Sequence, residues 1–524
     1  MVKSLLALMS VLALLSASGV TTEPVVKVET STNGVLTLSV KGLEKNRQYE
    51  LLSDDVVMGV WTAGELGWGI KSSWIQKAGN QKVPHYTVRL LPQIDYDAKP
   101  LNLTVCHIQR TMKAMADSTS ANPSTVRILF YGQSIVGQHW SRQVMDELKR
   151  RYPTVKFEVE NRAIGGYGAE RLSRTALSDM YPYYADLVFF HDYGSLAKYE
   201  EMVRLLREKT TAEIILWSSH LSRGQKAEKM LAERDTRTKT IADIAQRYGT
   251  MYVDLNKKWC EMLLKNGWEE YDILADSIHM NRNSPALDKY AEFLYEDMAR
   301  LPSHSGEPAV NGTIEEVPLL DARVKKQADG TLVLSFAGNR VVALSDGTGA
   351  SGATAEMILD GKPAKDYPEM WYTTRPGRGP MWMPFVDHVD YDSPLIEEKW
   401  TLTFLDGTKP DANPIVYSVE GSVTGPDGIG NTKERFRSKS GRAILDPKDI
   451  NCVWQYKYAK KEAKVGFQVT WETKPLFAAP YEAVPVGTRT TLVQNCLNGQ
   501  HELVIKAKGG SLGIGGFLVY RPRQ

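Results

Sequence analysis

Five short apolar runs, each ending in polar or turn-forming residues, occupy residues 125–302 and restrict the fold more than any other feature. They are RILFY from Arg127, VKFEVE from Val155, DLVFF from Asp186, EIILW from Glu213 and MYVDL from Met251. Helical patterns lie between them. Trp140, Val144 and Leu148 recur every four residues, and Leu287, Ala291, Leu294 and Met298 repeat at four, three, four. Ser284-Pro285 supplies the last helix with an N-cap and a first-turn proline. Strands alternating with helices imply right-handed crossovers, hence a five-stranded parallel sheet covered on both faces. Ligands of such α/β sheets bind outside the carboxyl ends of the strands.

The flanking regions have a different rhythm. Residues 25–108 read as a β-rich domain: VVKVETSTNGVLTLSVKGL alternates around Asn33-Gly34, a hairpin signal. Residues 109–124, small and polar with a proline near the end, read as a linker. Residues 311–524 return to strands punctuated by glycine, which suggests a β-sandwich. At 524 residues the chain suits about three domains of ~150 residues each.

Residues 1–19 read as a secretory signal: Lys3, a short apolar core, then Ala17-Ser18-Gly19 as a small-residue cleavage site. The apolar run is well short of the ~20 residues a span requires, so a secreted or periplasmic protein without a membrane span is expected. Lys and Arg number 64 against 62 Asp and Glu, a balance that gives no electrostatic case for nucleic acid. The four cysteines contain no CxxC pair, so zinc-site spacing is absent. Cys452 and Cys496 share the C-terminal region and are candidates for one disulfide, whereas Cys260 reads as a buried thiol.

At the strand ends of the middle region stand Ser134, the glycines of ENRAIGGYG, His191 with Asp192 and Tyr193, His220, and Asp276 with His279. A serine hydroxyl is a poor nucleophile until a base takes its proton, and imidazole suits that task near neutral pH. The imidazole in turn needs a carboxylate on its other nitrogen. The spacing in DSIH allows Asp276 to reach the His279 ring from one side of a turn. Acyl transfer also needs donors aimed at the developing oxyanion, and a glycine amide such as that of Gly166 can approach closely. Taken singly, each of these residues also fits a structural role: Ser134 a strand-end turn, His191 and His220 hydrogen-bonded structural histidines, Arg162 a salt bridge.

In this order the motifs resemble those of the SGNH (GDSL-like) hydrolase family. GQS at residues 132–134, NRAIGGYG and DSIH correspond to its serine, glycine and last blocks, over about a third of the chain. The resemblance implies a flavodoxin-like fold and a serine esterase needing no metal or organic cofactor. It also implies Ser134 as nucleophile, His279 as base, Asp276 as its orienting acid, and the Ser134 and Gly166 amides as oxyanion donors. Two positions depart from the pattern. Gln133 replaces the usual acidic residue before the serine, and Tyr193 stands where an asparagine side chain normally donates to the oxyanion. Gln133, Arg162, His191, Asp192 and His220 are expected to line the substrate crevice.

The C-terminal region resembles jelly-roll modules found beside carbohydrate-active members, through FAGNRVVAL, AEMILDGK and NGQHELVIKAKGG. Between them WYTTRPGRGPMWMPFVDHVDY is rich in aromatics, which either stack on sugars or fasten the β region to the catalytic domain. Arg375 and Arg378 could meet uronic carboxylates. Three functions are open on this basis: an esterase, chiefly a deacetylase, acting on a polysaccharide or oligosaccharide; a glycosidase or lyase using Asp192, His191, His220 and Asp276; or a glycan-binding protein without turnover.

Overall fold

The computed structural model describes short strand segments between residues 25 and 90, and then residues 105–298, 312–409 and 414–523. The chain divides into two compact units, Met1–Ile94 and Asp95–Gln524. In the first, Val25–Thr30 pairs antiparallel with Leu36–Lys41, bracketing Asn33-Gly34. A second antiparallel sheet has Gln48–Ser53 between Val56–Thr62 and Tyr86–Leu90. The turn itself and the signal-like residues 1–19 lie outside the described residues. Among the described residues no helix is long and apolar enough to cross a membrane.

The second unit begins with α1 (Gln109–Ala116), where the sequence suggested a linker. Ile108, Met112 and Met115 fall on one helical face and are buried in the core of the α/β domain. That stripe is short, and the surrounding polar residues obscure it. The helix start is fixed by Glu213, whose buried carboxylate accepts from the amides of Arg110 (3.0 Å) and Thr111 (2.8 Å).

The sheet of this domain contains β1 (Thr125–Gly132), β2 (Lys156–Asn161), β3 (Leu187–His191), β4 (Glu213–Trp217) and β5 (Met251–Val253). All pairings are parallel and the order is β2-β1-β3-β4-β5. This is the flavodoxin-like order, with its topological switch point between β1 and β3. β3 and β4 are buried throughout, as expected of inner strands covered on both faces. The edge strand β2 is largely exposed and carries Lys156, Glu158 and Glu160, charges that discourage further pairing. Successive β1 residues alternate between two cores: Ile128 and Phe130 pack with Trp140, Phe189 and Trp217, while Leu129 and Tyr131 pack with Val188, Phe190 and Leu216. The helices include α2 (Trp140–Arg151), α3 (Ala169–Asp179) and α4 (Ala286–Met298), and α4 packs beside α2.

The C-terminal region holds two larger antiparallel sheets, each with its own core. An eight-stranded sheet is built around the long strands Leu332–Ser345 and Arg489–Lys508. A five-stranded sheet, from Trp371–Thr373 to Gln468–Pro475, is inserted between the strands of the first. This insertion also carries the helix α5 (Cys452–Ala459). Nesting explains why Cys452 and Cys496 are not bonded. Cys452 belongs to the core of the five-stranded module and Cys496 to that of the eight-stranded sheet, and both are free thiols. Cys260 is also free and buried, within the α/β core.

Candidate active site

β1 runs to its carboxyl end against β3, and the last contact between them sets the course of the serine turn. Gly132 faces His191 in the register at φ +150°, and a Cβ there would lie 2.0 Å from the His191 carbonyl oxygen. Only glycine lets the two strands close at this point. The next residue, Gln133, is 2% exposed and turns its side chain back into the bend. Its Oε1 accepts from the Ile135 amide (2.9 Å) and more distantly from Val136 (3.4 Å). Its amide nitrogen donates to His191 Nδ1 at 3.1 Å. The turn leaves Ser134 partly exposed at the switch point.

The loop before α4 meets the serine there. His279 Nε2 lies 2.8 Å from Ser134 Oγ, and His279 Nδ1 lies 2.8 Å from Asp276 Oδ2. An Nδ1 proton given to the carboxylate leaves Nε2 free to accept from the hydroxyl. The other carboxylate oxygen, Oδ1, accepts from the amides of Ile278 (2.9 Å) and His279 (2.8 Å). Partial burial alone would raise the Asp276 pKa, but these two amides and the imidazole outweigh it and hold the carboxyl down at about 2. The loop is pinned from three sides. Gln138 on the serine turn donates to Met280 O (3.1 Å) and accepts from its amide (3.3 Å). Arg223 N donates to Ser277 O at 2.9 Å, and His220 Nε2 donates to Ile278 O at 2.7 Å.

After β2 the chain turns through Gly165 and Gly166. Gly166 is exposed at φ +84°, and a Cβ on it would sit 2.4 Å from Met383 Cε. Tyr167 anchors this turn: its hydroxyl donates to Asp387 and accepts from Asn451 Nδ2 (2.5 Å). Arg171 on α3 donates to the same carboxylate at 2.6 Å. Among the described residues, the amides of Ser134 and Gly166 have no protein acceptor. Two unoccupied donors thus flank a serine already bonded to an imidazole.

The central domain has an SGNH-type α/β fold. Its serine, glycine and DxxH blocks sit after β1, after β2 and before α4 of a flavodoxin-like sheet. No protein-family model matches the sequence, and no curated protein does. Among solved structures the chain is similar to a two-domain esterase (CEX) active on acetylated mannans, with 13% identity, covering 82% of this chain and 99% of that one, at TM-score 0.32. A putative GDSL-like lipase from Parabacteroides merdae is 16% identical, covering 33% and 95% at TM-score 0.29. An Axe2 variant, an acetyl xylan esterase from Geobacillus stearothermophilus, is 18% identical, covering 34% and 97% at TM-score 0.30.

Within the SGNH-type domain the residues expected to bind substrate have other surroundings. His191 is fully buried, stacks on Trp217 with ring centroids 5.3 Å apart, and donates from Nε2 to Ser219 Oγ at 3.0 Å. Burial, aided by Arg237 and His220, pushes its pKa well below the usual imidazole range. Burial likewise lowers His220 to about 4 and pushes Asp192 well above the usual carboxylate range. The Tyr193 hydroxyl is buried beside Ser219 and offers no surface that a substrate oxygen could touch. Arg162 donates to Asp179 O at 2.8 Å and lies 4.8 Å from the Tyr183 ring centroid. The structure therefore gathers Ser134, Gly166, Asp276 and His279 at one surface. It packs Gln133, His191, Asp192, Tyr193 and His220 behind them.

Sequence reasoning passed over residues that shape this surface from far along the chain. Gln138 sat inside the serine motif itself, four residues after the nucleophile. Met383, Asp387 and Asn451 belong to the five-stranded module, which meets α3 through an ionic seam. There Arg174 pairs with Asp449 (2.7 Å) and Asp390 (3.0 Å), and Arg375 with Asp179 (3.1 Å). The spacing of Arg171 and Arg174 one turn apart on α3 is the single local signal for it.

Proposed function

We propose that the chain is an exported carbohydrate esterase of the SGNH (GDSL-like) family that removes acyl groups, chiefly acetyl, from a glycan. The observation that carries this reading is the continuous hydrogen-bonded line from Ser134 Oγ through His279 to Asp276, with each link at 2.8 Å. The signal-like residues 1–19 support export, and residues 125–302 form the catalytic domain between the β-rich regions 25–108 and 311–524. The C-terminal resemblance to modules found beside carbohydrate-active members supports a polysaccharide or oligosaccharide ester as the substrate class.

In this mechanism Ser134 Oγ attacks the ester carbonyl carbon while its proton passes to His279 Nε2. The carbonyl electrons become an oxyanion that accepts from the Ser134 and Gly166 amides. His279, its charge balanced by Asp276, returns the proton to the departing sugar oxygen and leaves an acyl-serine. A water then gives a proton to His279 and attacks the acyl carbon. The acid leaves, and Ser134 recovers its proton.

Glycosidic cleavage by Asp192, His191 and His220 has less support, since those groups are at most 2% exposed and each is driven by burial toward its neutral form. The deciding experiment incubates wild type and Ser134→Ala with acetylated plant polysaccharides and assays acetate and reducing ends together. Acetate release by the wild type that disappears in a folded Ser134→Ala protein is expected. Equal acetate release by both proteins would remove the serine mechanism, and new reducing ends without acetate would favour glycosidic cleavage.

A further inference from the structure

The wall of the site beside Ser134 belongs to the five-stranded module, not to the α/β domain. Residues 377–385 double back as a short hairpin: Gly379 N donates to Met383 O (3.1 Å), Phe385 N to Gly377 O (3.3 Å), and Arg378 bridges Pro384. Gln455 on α5 braces its base by donating to Pro384 O at 2.6 Å. At the tip stands Trp382, 52% exposed, with its indole N–H donating to Gly165 O at 2.8 Å. A methyl group on Gly165 would touch Trp382 Nε1 at 3.2 Å and Ser134 Cβ at 3.5 Å, so the indole borders the nucleophile directly. Beyond it Tyr458, 64% exposed, meets Trp382 edge to face at 6.5 Å and stacks on Trp454 at 5.3 Å.

The other large rings of this loop are hidden. Trp371 is 8% and Phe385 1% exposed, and both pack inside the β region. Fastening the domains together therefore accounts for them and leaves Trp382 unexplained. Isolated exposed aromatics need no explanation, but a contiguous run of them at the rim of a reactive site does. The hydrogen bond to Gly165 fixes the indole plane before any ligand arrives, which lowers the ordering cost of binding. A pyranose ring offers a flat array of weakly positive C–H groups, which complements the negative face of an indole.

We propose that Trp382, with Tyr458 and Trp454 behind it, is the stacking platform for the sugar unit that carries or adjoins the scissile ester, so that the β module supplies the glycan subsite of the catalytic centre. This rests on the esterase reading of Ser134. The platform predicts a split between substrates. A small aryl ester needs only the serine, base and oxyanion donors, whereas an esterified oligosaccharide must also rest on the indole.

The test measures kcat and KM of the full chain with 4-nitrophenyl acetate and with acetylated manno-, xylo- and cello-oligosaccharides. For Trp382→Ala the ratio of kcat/KM on the preferred oligosaccharide to that on the aryl ester falls about tenfold, carried by KM. Trp382→Phe keeps part of the ratio, and Tyr458→Ala lowers it less. Equal losses on both substrates, or an unchanged ratio, would overturn the platform and leave Trp382 as a brace for the Gly165 turn. Calorimetry with the deacetylated oligosaccharides, in the Ser134→Ala background, separates this from the esterase reading. Binding that weakens on Trp382→Ala supports the platform even if the wild type releases no acetate. No binding of any of the three series overturns it.

Discussion

Replacing Gly166 by alanine tests whether the turn after β2 supplies an oxyanion donor. The backbone there has φ +84°, a conformation that costs an L-residue about 1–2 kcal/mol. The new Cβ would also lie 2.4 Å from Met383 Cε, well inside contact distance. Met383 is wholly buried, so its methyl cannot swing into solvent, and the turn has to move instead. The expected stability loss is about 2 kcal/mol, a fall of roughly 5 °C in Tm. The larger effect is on rate. Displacing one oxyanion donor costs about 10²–10³ in kcat, and KM should hardly change because the amide acts on charge that exists only in the transition state. With the Tyr193 hydroxyl buried away from the surface, no third donor from that position softens the loss. Adding Met383→Ala removes the steric part but not the dihedral part, so the double variant recovers some activity and remains below wild type. Steady-state kinetics on an aryl acetate with thermal melts decide the matter. A Gly166→Ala protein with wild-type kcat would refute the role of this amide.

Three further changes probe neighbouring groups. In Asp276→Asn the side-chain oxygen stays on the Ile278 and His279 amides, which turns the NH₂ toward His279 Nδ1 and favours the tautomer that cannot accept from Ser134; kcat falls by about 10²–10⁴ with little change in Tm, and a loss below tenfold would show that the carboxylate does not set the tautomer. Burial pushes Asp387 up to about 6 despite Arg171 and the Tyr167 hydroxyl. A carboxyl raised above its unfolded value of about 3.9 favours the folded state fully below that pH, and the benefit is lost as pH rises toward 6, by about 1.4 kcal/mol per unit. Asp387→Asn removes this slope, so melts at pH 4.5 and 7 should find the variant relatively better at the higher pH; the opposite trend would mean that Arg171 holds the carboxyl below its usual range. Finally, because Cys452 and Cys496 sit in separate cores as free thiols, a reductant should leave Tm unchanged, and a fall on reduction would reveal a disulfide.

The α/β domain was legible because its signals are local and repeated. Five apolar runs with helical spacing between them admit a narrow set of folds, and the polar residues at their ends mark the surface where a site can form. Ser134, Gly166, Asp276 and His279 each sit beside a motif whose backbone geometry is set within a few residues: the bend at Gly132, the positive φ at Gly166, the amides that hold Asp276. Helix α1 was missed because three apolar residues among polar ones are too few to show periodicity, and its anchor, Glu213, lies about a hundred residues away. His191, Asp192 and His220 were drawn to the crevice because polar residues at strand ends read alike whether they face solvent or core. Burial decides between those fates, and burial is a property of the assembled layers.

The same limit explains why half of the crevice was hidden from the sequence. Trp382 and Met383 reach Gly165 and Gly166 across more than two hundred residues, through a module nested inside another sheet. What brings them there is the seam between α3 and the five-stranded module, in which Arg171 and Arg174 face Asp387, Asp390 and Asp449. Two of those carboxylates, Asp387 and Asp449, are only 1% exposed, so each would leave an uncompensated buried charge if its arginine were lost. A seam of this kind fixes orientation more than it adds stability. Asp387 links it to the chemistry, because the carboxylate that accepts from Arg171 also accepts from Tyr167, the residue after Gly166. The position of the oxyanion amide is therefore set by both domains at once, and cutting the β module away should cost rate on small esters as well as affinity for glycans.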